Sequence, residues 1–280
     1  MGNKIDLKTA TSNLNIRGYL KLPVPPKEDL VSEIKRLKIE KNAVILAHYY
    51  QNKEIQELAD YLGDSLYLAK VAAKAKAAII VFAGVHFMAE TAKIINPTKK
   101  VVLPDLKAGC SLADSCPPSD FKKFKEQYPD AIVVTYINCS ADIKALSDVV
   151  CTSSNARAVL EWAFAKTKRV LFFPDQHLGR NTANSMGVPL EQMCVWNPHD
   201  PRLGGNDSTT LEKSRVILWQ GHCSVHAMFR PEHVATMREN IPDVKVLVHP
   251  ECALEVVEKS DLAGSTSYII NQIQTAAPGT

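Results

Sequence analysis

The chain has 280 residues, 46% of them hydrophobic and 22% charged, with 12 glycines and 16 prolines. That length suits two domains or three small ones, and the composition excludes disordered, collagen-like and coiled-coil chains. Lys and Arg number 33 against 30 Asp and Glu, a net charge of +3 with no basic block, so nucleic acid is not an expected partner. No apolar run approaches the roughly 18–20 residues of a membrane-spanning helix. The start MGNKIDLKTA lacks the apolar stretch of a secretory signal. A cytoplasmic protein with no membrane partner is expected. Seven cysteines, an odd count, do not read as a disulfide framework.

Residues 1–26 read as a loosely structured tail closed by the stiff Leu22-Pro-Val-Pro-Pro26 stretch. Beyond it, short runs rich in Val, Ile and Leu predict strands at 43–48, 78–82, 100–103, 131–137, 169–173, 215–219 and 245–249. Each is apolar on both faces, as buried parallel strands are. Segments with helical periodicity lie between them, such as 28–37 and 155–164, and Pro117-Pro118-Ser-Asp opens another helix. The alternation predicts α/β architecture with helices on both sheet faces.

A repeat is written into this alternation. Helix starts at Pro26-Lys-Glu28, Pro118-Ser-Asp120 and Pro231-Glu232 lead to strand ends at His48-Tyr-Tyr50, Tyr136-Ile-Asn138 and His249-Pro-Glu251. A short helix follows each, then a second polar cluster: Gly63-Asp-Ser65, Thr152-Ser-Ser154 and Gly264-Ser-Thr-Ser267. His48 to Ser65, Tyr136 to Ser153 and His249 to Thr266 are each 17 residues. Three matches argue for a triplicated α/β unit. The expected units are 27–117, 118–230 and 231–280, the third incomplete, and the Gly/Asn/Pro-rich stretch 179–213 reads as an insertion or extended loop.

Ligands of parallel sheets bind outside the carboxyl ends of the strands. Three units facing one central cavity would bring His48, Tyr50, Tyr136, Asn138, His249 and Glu251 to it. Ser65, Ser153 and Thr266 would sit at helix N-termini, which favour anions; taken singly, each hydroxyl reads better as an ordinary N-cap, but the matched trio does not. A small, multiply charged anion is the implied ligand. Cys110 and Cys223 both follow the last strand of their unit. Converging thiolates would suit an iron–sulfur cluster. His222-Cys223-Ser-Val-His226 reads alternatively as half a zinc site, or as a catalytic cysteine paired with His226. Cys116, Cys139, Cys151, Cys194 and Cys252 carry no ligand spacing and read mostly as buried filler.

Leu46-Ala-His48-Tyr-Tyr50-Gln, Met88-Ala-Glu-Thr91, Leu103-Pro-Asp-Leu-Lys-Ala-Gly-Cys110, Tyr136-Ile-Asn138, Cys151-Thr-Ser-Ser-Asn155, Gly221-His-Cys223-Ser-Val-His226, His249-Pro-Glu-Cys252 and Gly264-Ser-Thr266 together resemble the quinolinate synthase (NadA) family. The resemblance runs in order from about Pro26 to the end of the chain. It implies three homologous three-layer αβα units with parallel sheets, arranged with pseudo-threefold symmetry around a central cavity that holds an oxygen-sensitive 4Fe-4S cluster. The implied reaction condenses iminoaspartate with dihydroxyacetone phosphate to quinolinate, in NAD biosynthesis, with loss of phosphate and water.

Carried over by motif, Cys110 and Cys223 are cluster ligands, and His48, Ser65, Tyr136, Asn138, Ser153, His249, Glu251 and Thr266 bind substrate. Tyr50, His249 and Glu251 are the acid–base candidates. The family's third cluster cysteine lies in a C-terminal Cys-Pro segment that is expected to be missing here, and Cys252 does not replace it. The remaining implied partners are functional contact with L-aspartate oxidase or aspartate dehydrogenase, and a monomer or homodimer. Two other readings stay open on the residues: an inactive relative that binds dicarboxylates or a partner, and a zinc-dependent enzyme.

Overall fold

Apolar runs too short for a stable helix pair as strands whose two faces are both covered. In the computed structural model, which describes residues 14, 16–20 and 27–280, the strands are β1 (Ala43–His48), β2 (Tyr61–Gly63), β3 (Ile79–Ala83), β4 (Lys100–Val102), β5 (Ile132–Tyr136), β6 (Val149–Cys151), β7 (Val170–Phe173), β8 (Met193–Trp196), β9 (Val216–Trp219), β10 (Leu247–Val248) and β11 (Leu262–Ala263). Most of the predicted tail, including 22–26, lies outside the described residues. Every pair is parallel. The fold is therefore α/β, as predicted.

The chain divides into two compact units, one ending at Cys110 and the other Ser111–Thr280. The first holds a four-stranded sheet in the order β2-β1-β3-β4. The second holds a five-stranded sheet, β6-β5-β7-β9-β8, and the pair β10-β11. All seven predicted strands form, with ends shifted by a few residues. Four strands were not predicted: β2, β6, β8 and β11. The core of the larger sheet is aromatic: Phe124 meets Trp196 at 4.3 Å between ring centroids, and Phe121 meets Phe173 edge-on at 4.4 Å.

The stretch 179–213 is ordered structure and not an extended loop. It runs from within helix Gln176–Ser185 through β8 to helix Ser208–Lys213. β8 pairs with β9 and adds a fifth strand to an order that otherwise matches the first sheet. One glycine that suggested a loop has a packing reason. Gly204 has φ +63° and lies under the Trp196 indole, where a Cβ would come within 2.4 Å of a ring carbon.

The repeat has a physical clasp. Asp60, Asp148 and Asp261 each stand 15 residues after Ile45, Val133 and Val246, whose amides donate to the aspartate carboxylates at 2.8 Å. Each aspartate amide donates back to the carbonyl of the same partner, at 2.9, 3.1 and 2.9 Å. The three strand pairs share one register as a result: Leu46 opposite Tyr61, Val134 opposite Val149, Leu247 opposite Leu262. Two clasps also take a cation from the preceding helix, Lys38 on Asp60 and Arg238 on Asp261. The corresponding Lys125 bonds the Leu146 carbonyl instead.

Asp148→Ala removes the acceptor for a partly buried strand amide. We expect a loss of about 1–3 kcal/mol, read as a lower urea midpoint with an unchanged slope. An unshifted midpoint would show that the clasp contributes nothing to stability.

Candidate active site

β1 carries His48 to its C-terminal end, where the ring is buried with 5% exposure. The Tyr50 amide donates to His48 Nδ1 at 3.2 Å. With Nδ1 accepting, the neutral ring carries its proton on Nε2. Burial pushes His48 down to about 4, so it is an uncharged donor at neutral pH. The Tyr50 ring packs edge-on against it at 4.4 Å, yet Tyr50 remains 70% exposed.

The same turn recurs after β10. The Glu251 amide donates to His249 Nδ1 at 3.3 Å, and burial pushes His249 down to about 4 as well. The β5 end departs from this chemistry. Tyr136 is buried there, and the half-buried Asn138 has its Oδ1 covered without a hydrogen-bond partner.

The three predicted hydroxyl positions are not equivalent. Ser65 and Thr266 are the first residues of ten-residue helices, Ser65–Lys74 and Thr266–Thr275. Their N-caps are the residues before them: Asp64 accepts from the Tyr67 amide and Ser265 from the Tyr268 amide. The capping duty is thus taken by a neighbour. Ser153 instead lies in a turn and its helix begins only at Ala156, so its predicted place at a helix N-terminus is corrected. The Asn155 carboxamide folds back onto the Thr152 amide at 2.7 Å and spaces that turn.

In the second unit Cys223, His249 and Glu251 come together through a residue the site prediction left out, His226. Its Nδ1 lies 2.9 Å from Glu251 Oε2, and His249 Nδ1 lies 3.3 Å from the same oxygen. The two imidazoles stack at 4.7 Å and 15°. His226 Nδ1 and Glu251 Oε1 are both buried without a hydrogen-bond partner. Burial opposes a charge on His226, but the Cys223 and Glu251 side chains outweigh it and raise the ring to about 10. Burial would likewise raise the Cys223 thiol, and hydrogen bonding to His226 brings it below its ordinary value. Cys223, the cationic His226 ring and Glu251 thus form one connected group of polar side chains. Cys223, His226 and Glu251 also offer donor atoms within 4.8 Å of one another, close enough to hold a metal ion.

Two more residues support this cluster. Asn181 Nδ2 donates to the Pro250 and Cys252 carbonyls, both at 2.8 Å, and so fixes the turn that carries Glu251. Asp175 is fully buried at the end of β7; its Oδ1 caps helix Gln176–Ser185 through the Leu178 amide at 2.6 Å, and its Oδ2 has no partner. Burial, then the charges of Glu251 and Cys223, push its carboxyl well above the usual range. The Asp after Phe-Pro at a strand end was the available signal. The cysteines sort as expected: Cys110 and Cys223 are half-exposed, while Cys116, Cys139, Cys151, Cys194 and Cys252 are buried.

Three histidines, His48, His177 and His249, are pushed down to about 4 from 6.5, chiefly by burial. Between those values the unfolded chain binds protons that the folded chain does not. Stability is therefore complete above the upper value and falls as acid approaches the lower one. His226, raised to about 10, acts in the opposite sense, and its contribution fades as pH rises toward that value. The urea midpoint should peak near neutrality, and His249→Asn should flatten the acid limb. An equally steep acid limb in that variant would overturn the assignment.

Among the described residues no helix is long and apolar enough to cross a membrane. A family model described as quinolinate synthetase A protein (NadA) matches residues 32–280. Quinolinate synthase of Microcystis aeruginosa is 49% identical over 244 residues, covering 87% of this chain and 68% of that protein. The enzyme of that name from Rhodopirellula baltica is 46% identical over 287 residues, covering 92% and 73%. That from Corynebacterium glutamicum is 50% identical over 248 residues, covering 84% and 63%. The fold, the strand-end motifs and these matches agree, and the chain belongs to the quinolinate synthase (NadA) family of enzymes.

Proposed function

We propose that this chain condenses iminoaspartate with dihydroxyacetone phosphate to quinolinate, with loss of phosphate and water. The observation that carries the reading is the turn after β10, where a neutral, tautomer-locked His249 and a buried Glu251 carboxylate lie against a cationic His226. We also read 27–117, 118–230 and 231–280 as the three repeats of the enzyme.

Cys110 and Cys223 are the residues to hold a 4Fe-4S cluster. The donor chemistry fits: they are the two half-exposed cysteines, and the Cys223 thiol is lowered, whereas burial raises Cys116, Cys151, Cys194 and Cys252. Such a cluster supplies a Lewis acid that polarises a substrate hydroxyl or carboxylate for loss of water. His48 and His249 each present Nε2–H as an uncharged donor to substrate oxygens. Backbone amides at Ser65 and Thr266, with the hydroxyls beside them, bind carboxylate or phosphate, because a helix N-terminus carries unpaired N–H groups and a positive dipole end. Tyr136, Asn138 and Ser153 complete the polar contacts.

Glu251 is the base in this scheme, with Oε1 unpaired and available to take a proton from carbon. His226 returns a proton to the departing oxygen, and the exposed Tyr50 phenol is the remaining acid–base candidate.

Glu251→Gln keeps the shape of the side chain and removes the base. We expect quinolinate formation to fall about 10²–10⁴-fold in a variant that still folds, measured on anaerobically reconstituted protein. Cys110→Ser and Cys223→Ser should each lower bound iron and sulfide. Parental turnover in Glu251→Gln would remove Glu251 from the chemistry.

A further inference from the structure

Three different metal-ligating side chains meet in the second unit. Cys223 and His226 come from the turn after β9, and Glu251 from the turn after β10. One donor atom from each can be chosen so that all lie within 4.8 Å of one another. This is no solvated surface cluster: Glu251 is 3% exposed, and Glu251 Oε1 and His226 Nδ1 are buried without hydrogen-bond partners. The neighbouring Asp175 Oδ2 is buried in the same unsatisfied state. Buried polar atoms left unpaired cost free energy, and a bound ion is one of the few things that satisfies several together.

We propose that Cys223, His226 and Glu251 bind a single zinc ion when no cluster occupies Cys223. A thiolate, an imidazole and a carboxylate form a borderline-soft donor set that suits zinc and disfavours magnesium and calcium, and His226 releases its proton to solvent as the ion binds. Zinc bonds of about 2.3 Å to sulfur and 2.0–2.2 Å to nitrogen and oxygen place tetrahedral donors roughly 3.2–3.8 Å apart. The 2.9 Å between His226 Nδ1 and Glu251 Oε2 is close to that spacing, and the whole donor set spans no more than 4.8 Å. Asn181 already holds the turn that carries Glu251. His249 Nδ1 does not complete the set, because it accepts the Glu251 amide. Three protein ligands leave a fourth position open, as in zinc sites that bind water or substrate. Zinc here occupies the Cys223 thiolate, so the zinc-loaded chain cannot offer that cysteine to a cluster.

The proposal stands apart from the quinolinate reaction, and Cys110 separates the two. The full chain, reduced and stripped of metal with a chelator, is titrated with Co²⁺ as a spectroscopic probe and then with Zn²⁺. The expected result is one Co²⁺ per chain, with a sulfur-to-cobalt band in the near ultraviolet and tetrahedral visible bands, all bleached by Zn²⁺. Cys110→Ser should keep this behaviour and Cys223→Ser should lose the sulfur band. His226→Ala and Glu251→Gln should each weaken binding by about tenfold or more. X-ray absorption on zinc-loaded parental protein should show one sulfur with nitrogen and oxygen neighbours, whether or not the variants fold. Absence of a sulfur neighbour, two or more sulfurs per zinc, or loss of binding in Cys110→Ser would overturn the proposal. Failure to form quinolinate alongside intact one-sulfur binding would sink only the proposed reaction.

Discussion

A two-point clasp by an aspartate underlies the site geometry. In each strand pair one aspartate uses its carboxylate and its amide on the two backbone groups of a residue 15 positions earlier. That fixes the register of a leading strand against a short second strand. Three residues on from the clasped position stand His48, Tyr136 and His249, at or one past the end of the leading strand, and five residues on from the aspartate the next helix or turn begins. The constant 17-residue interval from strand end to hydroxyl is the outcome of this register. A buried backbone amide must find an acceptor, and here the acceptor also aligns the functional groups.

Once the scaffold is clasped, the strand ends are free to differ. Two of them use the same device, an imidazole whose Nδ1 accepts the amide two residues on. This holds the ring in one tautomer while burial keeps it neutral, converting histidine from a titrating group into a fixed donor. The middle strand end carries Tyr136 and Asn138 instead, and the helix after its partner strand β6 starts later, at Ala156. Divergence is thus confined to positions outside the clasp. The same holds for β8, which attaches to the sheet edge farthest from β6.

The long strands and the α/β class were legible because runs such as Ala43–His48 and Val216–Trp219 are apolar on both faces. The short strands were not: β2, β6 and β11 have two or three residues each, too few to show any period. They pair because the aspartates align them, and a lone Asp in a polar stretch looks like any loop residue. The stretch 179–213 suggests an insertion or extended loop because Gly, Asn and Pro are turn formers by composition, whereas Gly179 is there to let the helix approach the sheet: a Cβ would lie 2.6 Å from Phe172 and Leu218 side-chain carbons. Cys223 and His226 were visible as a pair. Their third member, Glu251, was visible only as part of another motif, since nothing in linear spacing says that the turns after β9 and β10 meet.

The meeting of those turns sets the electrostatics of the site. Cys223, Glu251 and Asp175 are three acidic groups around one place, and His226 serves them as a cation. The fully buried Asp175 has its carboxyl pushed well toward the neutral form, by burial and by its two acidic neighbours. His249, stacked on His226, cannot share the positive charge, because burial and the adjacent imidazolium both hold it neutral, against the pull of Glu251. In the proposed reaction an anionic substrate beside Glu251 would meet donors that are already oriented and the His226 cation. The more negative charge it brought, the more strongly His226 would retain its proton, until chemistry on the substrate created an oxygen basic enough to take it.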